Sequence, residues 1–105
     1  MLPDQQAVWR TVMTLSCQLL AAARIEDWEE ACRIEPVRKD WLDRFFQHSI
    51  DLDEVDAMRR DLLQIQAWDA EAQVLLKASQ KQAADLLAEL KTGKQVTDAY
   101  SSYVR

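Results

Sequence analysis

The stretch DEVDAMRRDLLQIQAWDAEAQVLLKASQKQAADLLAELKT, residues 53–92, decides the fold. It contains neither glycine nor proline, and its apolar residues recur at alternating intervals of three and four. This spacing is typical of one long helix with a single apolar face. We call that face the seam. Its apolar members are Val55, Met58, Leu62, Ile65, Ala72, Leu76, Ala83, Leu86 and Leu90, and its polar members are Asp69 and Ser79. At 1.5 Å per residue this helix is about 60 Å long.

The composition favours helix in the other segments as well. The 105-residue chain has one glycine and two prolines, and 49% of its residues are hydrophobic. The predicted fold class is all-α, with an antiparallel bundle of three main helices at about 4–24, 28–47 and 53–92 and a short C-terminal helical tail. We expect residues 1–105 to form a single helical domain, with a mobile tail at 94–105.

Local signals set the ends of these helices. Asp4 is the predicted N-cap of the first helix, and Asp27, with Glu30 three residues later, is the predicted cap of the second. Pro36 interrupts the second helix or kinks it. We favour a continuous, kinked helix, because the apolar pattern passes through the proline without a change of phase. Gly93 is the predicted stop of the third helix, since glycine takes the left-handed conformation without strain.

The third helix is longer than the two that precede it. Two helices of about 30 Å cover about half of the seam, and they leave the part from Ala72 to Leu90 without a neighbour. Three alternatives would cover it: a break near Trp68–Asp69 with a fold-back, a second copy in a homodimer, or the tail. The candidate partner-binding residues are Trp68, Ala72, Leu75, Leu76, Ala83, Leu86, Leu87 and Leu90. Asp69 marks the point where the seam turns outward or meets a cation.

The sequence offers little for chemistry. The net charge of −5 disfavours nucleic-acid binding, and no apolar run is long enough for direct membrane insertion. The single histidine, His48, lies in a polar turn without ligands at metal-binding spacing, and one glycine cannot build a phosphate loop. We therefore expect no catalytic residue, no metal and no cofactor, and predict that the protein is not an enzyme.

Several short motifs, in this order, resemble the FliT-type flagellar export chaperones. They are Trp9 in an apolar first helix, Glu26-Asp27-Trp28, Ile34-Glu35 with Arg38, the run Asp85-Leu86-Leu87-Ala88-Glu89-Leu90, and Asp98-Ala99-Tyr100. The resemblance covers nearly the whole chain. The junction before Ala99-Tyr100 is shorter than in the family by about a turn, and enteric members have a longer C-terminal helix. Binding to the export ATPase or to a transcription regulator is therefore not part of the expectation.

The resemblance implies a cytoplasmic chaperone of the flagellar type III export system. Such a chaperone holds the C-terminal amphipathic helices of the filament-cap protein, prevents premature assembly and delivers the cargo to the export gate. Tyr100 matches the family position that docks on the cytoplasmic domain of the export-gate membrane protein. The alternative is another helical adaptor, or a coiled-coil dimer, that binds a different secretion partner.

Overall fold

The computed structural model describes the backbone of residues 2–104 and the side chains of residues 2–93. Three helices account for nearly all of it: α1 at Pro3–Arg24, α2 at Trp28–Phe45 and α3 at Leu52–Val104. The described residues contain no strand, and the predicted all-α fold class is confirmed. The chain divides into two compact units, Met1–Leu75 and Leu76–Arg105, and α3 contributes to both.

The first helix begins one residue earlier than predicted. Its N-cap is Leu2, so the prediction of Asp4 as the cap is wrong. Pro3 explains the difference, because its fixed φ suits the first helical position, where no backbone N–H is needed. The Leu2 N–H donates to Gln5 Oε1 at 3.3 Å. Asp4 instead lies in the first turn, where a negative charge favours the helix dipole.

A tight turn joins α1 to α2. The Asp27 N–H donates to the Ala22 carbonyl at 2.9 Å, and the Glu26 N–H donates to the Ala23 carbonyl at 3.1 Å. These two bonds form a Schellman motif, whose left-handed residue is Glu26 with φ of 58°. The prediction for Asp27 is confirmed, since its carboxylate caps α2 by accepting from the Glu30 N–H at 3.1 Å.

The second helix is continuous through Pro36, as favoured from the sequence. It ends at Phe45, two residues before the predicted end. The side chain of Glu30 does not complete a reciprocal capping box at the start of α2. It pairs with Arg33 one turn further on, where Arg33 Nε donates to Glu30 Oε2 at 2.9 Å.

Cross-helix contacts fix the direction of each helix in the first unit. Trp9 packs on Phe45 with ring centroids 5.1 Å apart, and Arg38 Nη1 reaches Ser16 Oγ at 3.4 Å. The earlier residue of α1, Trp9, contacts the later residue of α2, Phe45, and the later residue of α1, Ser16, contacts the earlier one, Arg38. The two helices are therefore antiparallel. The same test makes α3 parallel to α1, because Trp9 bonds Asp61 whereas Arg24, later in α1, bonds Glu71. The core cluster is Trp9, Val12, Phe45 and Met58, flanked by Val8, Met13, Trp41, Leu42, Ile50 and Ile65.

The third helix departs most from its predicted bounds. It passes through Trp68–Asp69 without a break, which removes the fold-back alternative. It also passes through Gly93 and continues to Val104, so the predicted stop at Gly93 is wrong. The segment after Gly93 prolongs α3 and is not a separate tail folded over the seam. A single glycine costs a helix only about 1 kcal/mol, and no proline follows to end it. The single domain predicted for residues 1–105 stays a prediction.

Candidate partner-binding surface

The predicted binding residues fall into two groups by burial. Trp68, Ala72, Leu75 and Leu76 are half-buried, whereas Ala83, Leu86, Leu87 and Leu90 are exposed. The three exposed leucines have relative accessibilities of 55%, 66% and 71% in that order. Every residue of 80–93 is exposed. The uncovered part of the seam therefore begins about two turns later than the predicted start at Ala72.

The exposed group forms a surface that we call the apolar strip, consisting of Ala83, Leu86, Leu87 and Leu90. Its spacing of i, i+3, i+4 and i+7 places all four residues on one side of α3, over about 100°. The ion pair between Lys81 Nζ and Asp85 Oδ2, at 3.3 Å, lies on the opposite side of the helix. This segment is thus amphipathic, with its apolar side open to water.

Asp69, the charged member of the seam, meets a cation. Arg38 Nη1 donates to Asp69 Oδ1 at 2.7 Å, and Arg38 Nη2 donates to Glu35 Oε2 at 3.0 Å. Arg38 is only 8% exposed and also contacts the buried hydroxyl of Ser16. Its Nε is buried without a hydrogen-bond partner among the described residues. Burial lowers the pKa of the Arg38 guanidinium. Asp69 and then Glu35 raise it by more than burial lowers it, so the pKa of Arg38 lies above its ordinary value.

The importance of Arg38 was not predicted from its chemistry, although the sequence contains a signal. Residues 34, 38, 41 and 45 follow one another at helical spacing, and the other three members of this row are Ile34, Trp41 and Phe45. A basic residue on the apolar side of α2 and an acidic residue on the seam are a complementary pair. This charge match predicts the contact between the two helices.

Two further contacts join α1 to α3. Trp9 Nε1 donates to Asp61 Oδ2 at 3.0 Å and satisfies the only polar atom of a buried indole. Arg24 donates two parallel hydrogen bonds to the Glu71 carboxylate, from Nε to Oε2 at 2.5 Å and from Nη2 to Oε1 at 2.9 Å. The hydrogen bond from Arg24 lowers the pKa of the Glu71 carboxyl, and the same bond raises the pKa of Arg24. The helix pair α1–α3 is therefore held by polar contacts along two-thirds of α1.

The groups suited to metal binding or redox chemistry are dispersed. Within the described part of the chain, no three His, Cys, Asp or Glu side chains converge as a metal site. His48 is exposed, and Cys17 and Cys32 are free and exposed. None of the helices, over their described residues, is long and apolar enough to cross a membrane.

Comparison with protein families decides the affiliation of the chain. The family described as flagellar protein FliT matches residues 6–102, which include α2, most of α1 and the whole apolar strip. The chain belongs to the FliT family. No curated protein and no solved structure matches it.

Membership of the FliT family makes the chain a flagellar protein with a chaperone-type role in flagellum biogenesis, and its partners belong to flagellar export. The helical bundle agrees with this assignment. The match also includes Tyr100, the residue predicted to dock on the export gate. The side chain of Tyr100 lies outside the described residues.

Proposed function

We propose that this FliT-family chain is a cytoplasmic export chaperone that acts as one domain, without catalysis or a cofactor. It binds the C-terminal amphipathic helices of the filament-cap protein, keeps them from assembling early and delivers the cargo to the export gate. The observation that supports this most is the apolar strip on α3, where three leucines are more than half exposed. Water-facing leucines at helical spacing suit a helical partner.

The strip has the chemistry to hold such a partner. Burying a leucine side chain favours binding by about 1.5–3 kcal/mol. Three of them offset part of the cost of association and of ordering the cargo. Cargo helices whose apolar sides lie on the strip are unable to use those sides for polymerisation. One surface therefore serves both to bind the cargo and to delay its assembly.

The binding step is tested by calorimetry of the full chain with the C-terminal segment of the filament-cap protein. The expected result is saturable one-to-one binding. Leu86→Asp combined with Leu90→Asp should abolish it, because two charges would be buried against apolar cargo, while circular dichroism shows the helicity unchanged. Val74→Asp is the matched control, since Val74 is 67% exposed on the opposite side of α3. Absence of binding to the folded chain would refute the proposal.

The delivery step is assigned to Tyr100. We expect Tyr100→Ala to bind cargo with unchanged affinity and to lose affinity for the cytoplasmic domain of the export-gate membrane protein. Tyr103→Ala is the matched control, because it removes a second tyrosine from the same C-terminal segment. Light scattering on the free chain tests the homodimer alternative: a tight dimer that competes with cargo would favour an adaptor function.

A further inference from the structure

The apolar strip repeats a pattern that occurs eighteen residues earlier in α3. The earlier set is Ile65, Trp68, Asp69 and Ala72, and its counterparts, in the same order, are Ala83, Leu86, Leu87 and Leu90. Eighteen residues make about five turns of an α-helix, so each residue and its counterpart have the same angular position on a regular helix. All four residues of the earlier set are half-buried in the first unit, whereas all four strip residues are exposed.

In the first unit, this side of α3 receives two helices. Helix α1 approaches on one edge, where Trp9 Nε1 donates to Asp61 at 3.0 Å. Helix α2 approaches on the other edge, where Arg38 donates to Asp69 at 2.7 Å. Asp61 and Asp69 are eight residues apart, which separates them by about 80° around the helix. A side of that width packs into the groove between two neighbours, whereas a single coiled-coil partner needs only a narrower line of residues.

The edges of the strip support the same conclusion. In a two-stranded coiled coil the positions beside the seam usually carry Glu and Lys, which form ion pairs with a single partner helix. Here one edge of the strip carries Gln82 and the charged Glu89, and the second carries the uncharged Gln80 and Leu87. Leu87 is the counterpart of Asp69, the residue that contacts α2, so this second edge is apolar. The strip thus offers two adjacent lines of contact.

We infer that the occupant of the strip is a pair of antiparallel amphipathic helices packed side by side, which bind as one unit. The inference rests on the proposed function and specifies the form of its cargo: the filament-cap segment binds as a helical hairpin with apolar contact sides. Leu86 packs on one helix of the pair and Leu87 on the other. Either cargo helix alone leaves one line of contact in water.

The test compares three probes on the full chain by calorimetry: the filament-cap segment that contains both helices, and each helix as a separate peptide. We expect the two-helix segment to bind at least about 100-fold more tightly than either peptide, because the second contact forms within the complex. Equal affinity of one peptide and the whole segment would overturn the inference and leave the proposed function intact. No binding of any probe to the folded chain would overturn both.

Variants at the two edges give an independent readout. Leu86→Gln and Leu87→Gln should each weaken binding of the two-helix segment about tenfold or more, since each removes one buried leucine. Val74→Gln, which changes an exposed apolar residue on the other side of α3, should leave the affinity unchanged. A loss confined to Leu86→Gln, with Leu87→Gln as tight as the natural chain, would show a single-helix occupant and overturn the inference.

Discussion

The guanidinium of Arg38 donates to Asp69 Oδ1 at 2.7 Å and links α2 to α3 in a part-buried ion pair. Arg38 also touches Ser16, whose hydroxyl donates to the Val12 carbonyl at 2.8 Å, so one side chain contacts all three helices. An ion pair of this kind adds little net stability, because desolvation offsets most of the attraction. Its effect is geometric: it fits only when α2 and α3 lie in one register.

Removing one member of this pair should be costly. We expect Asp69→Ala to lower the free energy of unfolding by about 1–3 kcal/mol, since it leaves a buried guanidinium without its nearest carboxylate. Urea denaturation followed by circular dichroism measures the change. Glu35→Ala is the control and should cost less than about 1 kcal/mol, because that carboxylate is 56% exposed. Equal losses in the two variants would contradict this account.

The turn between α1 and α2 contains strain that one substitution relieves. Glu26 has φ of 58°, a left-handed conformation that is unfavourable for any residue with a Cβ atom. We expect Glu26→Gly to be more stable than Glu26→Ala by about 1 kcal/mol. The comparison with alanine removes the glutamate side chain in both variants and isolates the backbone effect. Thermal unfolding gives the difference, and an alanine variant as stable as the glycine variant would refute the strain.

Gly93 provides the opposite case, a glycine inside a helix. Its φ is not positive, and a Cβ atom added there meets nothing within 4 Å. Gly93→Ala should therefore stabilise the helix locally by about 0.5–1 kcal/mol and slow amide exchange on both sides of position 93. Exchange measured by nuclear magnetic resonance tests this expectation. Faster exchange in the alanine variant would mean that α3 ends at Gly93 after all.

The pair of Arg24 and Glu71 predicts a dependence on pH. The pKa of Glu71 lies below its ordinary value of 4.5 because Arg24 donates to its carboxylate. A lowered carboxyl pKa contributes stability that is present above the ordinary pKa and is lost as the pH falls through the folded pKa. Arg24→Gln should raise the Glu71 pKa toward its ordinary value. It should also destabilise the chain more at neutral pH than in acid well below that value.

Titration of the Glu71 carboxyl by nuclear magnetic resonance checks the first effect, and urea unfolding at the two pH values checks the second. The pair is solvent-exposed, with side-chain accessibilities of 58% and 43%, so high salt should reduce both effects. A Glu71 pKa at or above its ordinary value in the natural chain would contradict the prediction.

Periodicity predicted the helices well and their ends less well. The seam specified α3 because apolar spacing of three and four, sustained over about forty positions, fits a helix and no strand. The capping of α2 followed from Asp27, whose short carboxylate reaches the N–H three residues later. Helix ends depend on small free energies, as Gly93 demonstrates. One unfavourable residue does not end a long helix when its neighbours all tolerate the helical conformation.

Only part of the candidate site was predictable. The apolar strip followed from the spacing of Leu86, Leu87 and Leu90, and their exposure agrees with the expected uncovered seam. The length of α3 that α1 and α2 cover could not be predicted from the sequence, because it depends on side-chain contacts between helices such as Arg24–Glu71. The contact of Arg38 with Asp69 was missed, although the row that Arg38 shares with Ile34 and the opposite charges of the two residues point to it. Pairing between elements distant in sequence is decided by three-dimensional packing, which spacing within one helix does not specify.

The exposure of every residue in 80–93 has a consequence for the proteolytic degradation of the chain. A helical segment of this length without packed neighbours is only marginally stable in water, so it opens locally far more often than the bundled helices. Trypsin-like proteases require such opening, and Lys81 and Lys91 lie in this segment. Cargo that binds the strip as proposed would close that route. On the proposed function, the vacant chain should then be degraded faster than the loaded one, which would tie its abundance to the supply of cargo.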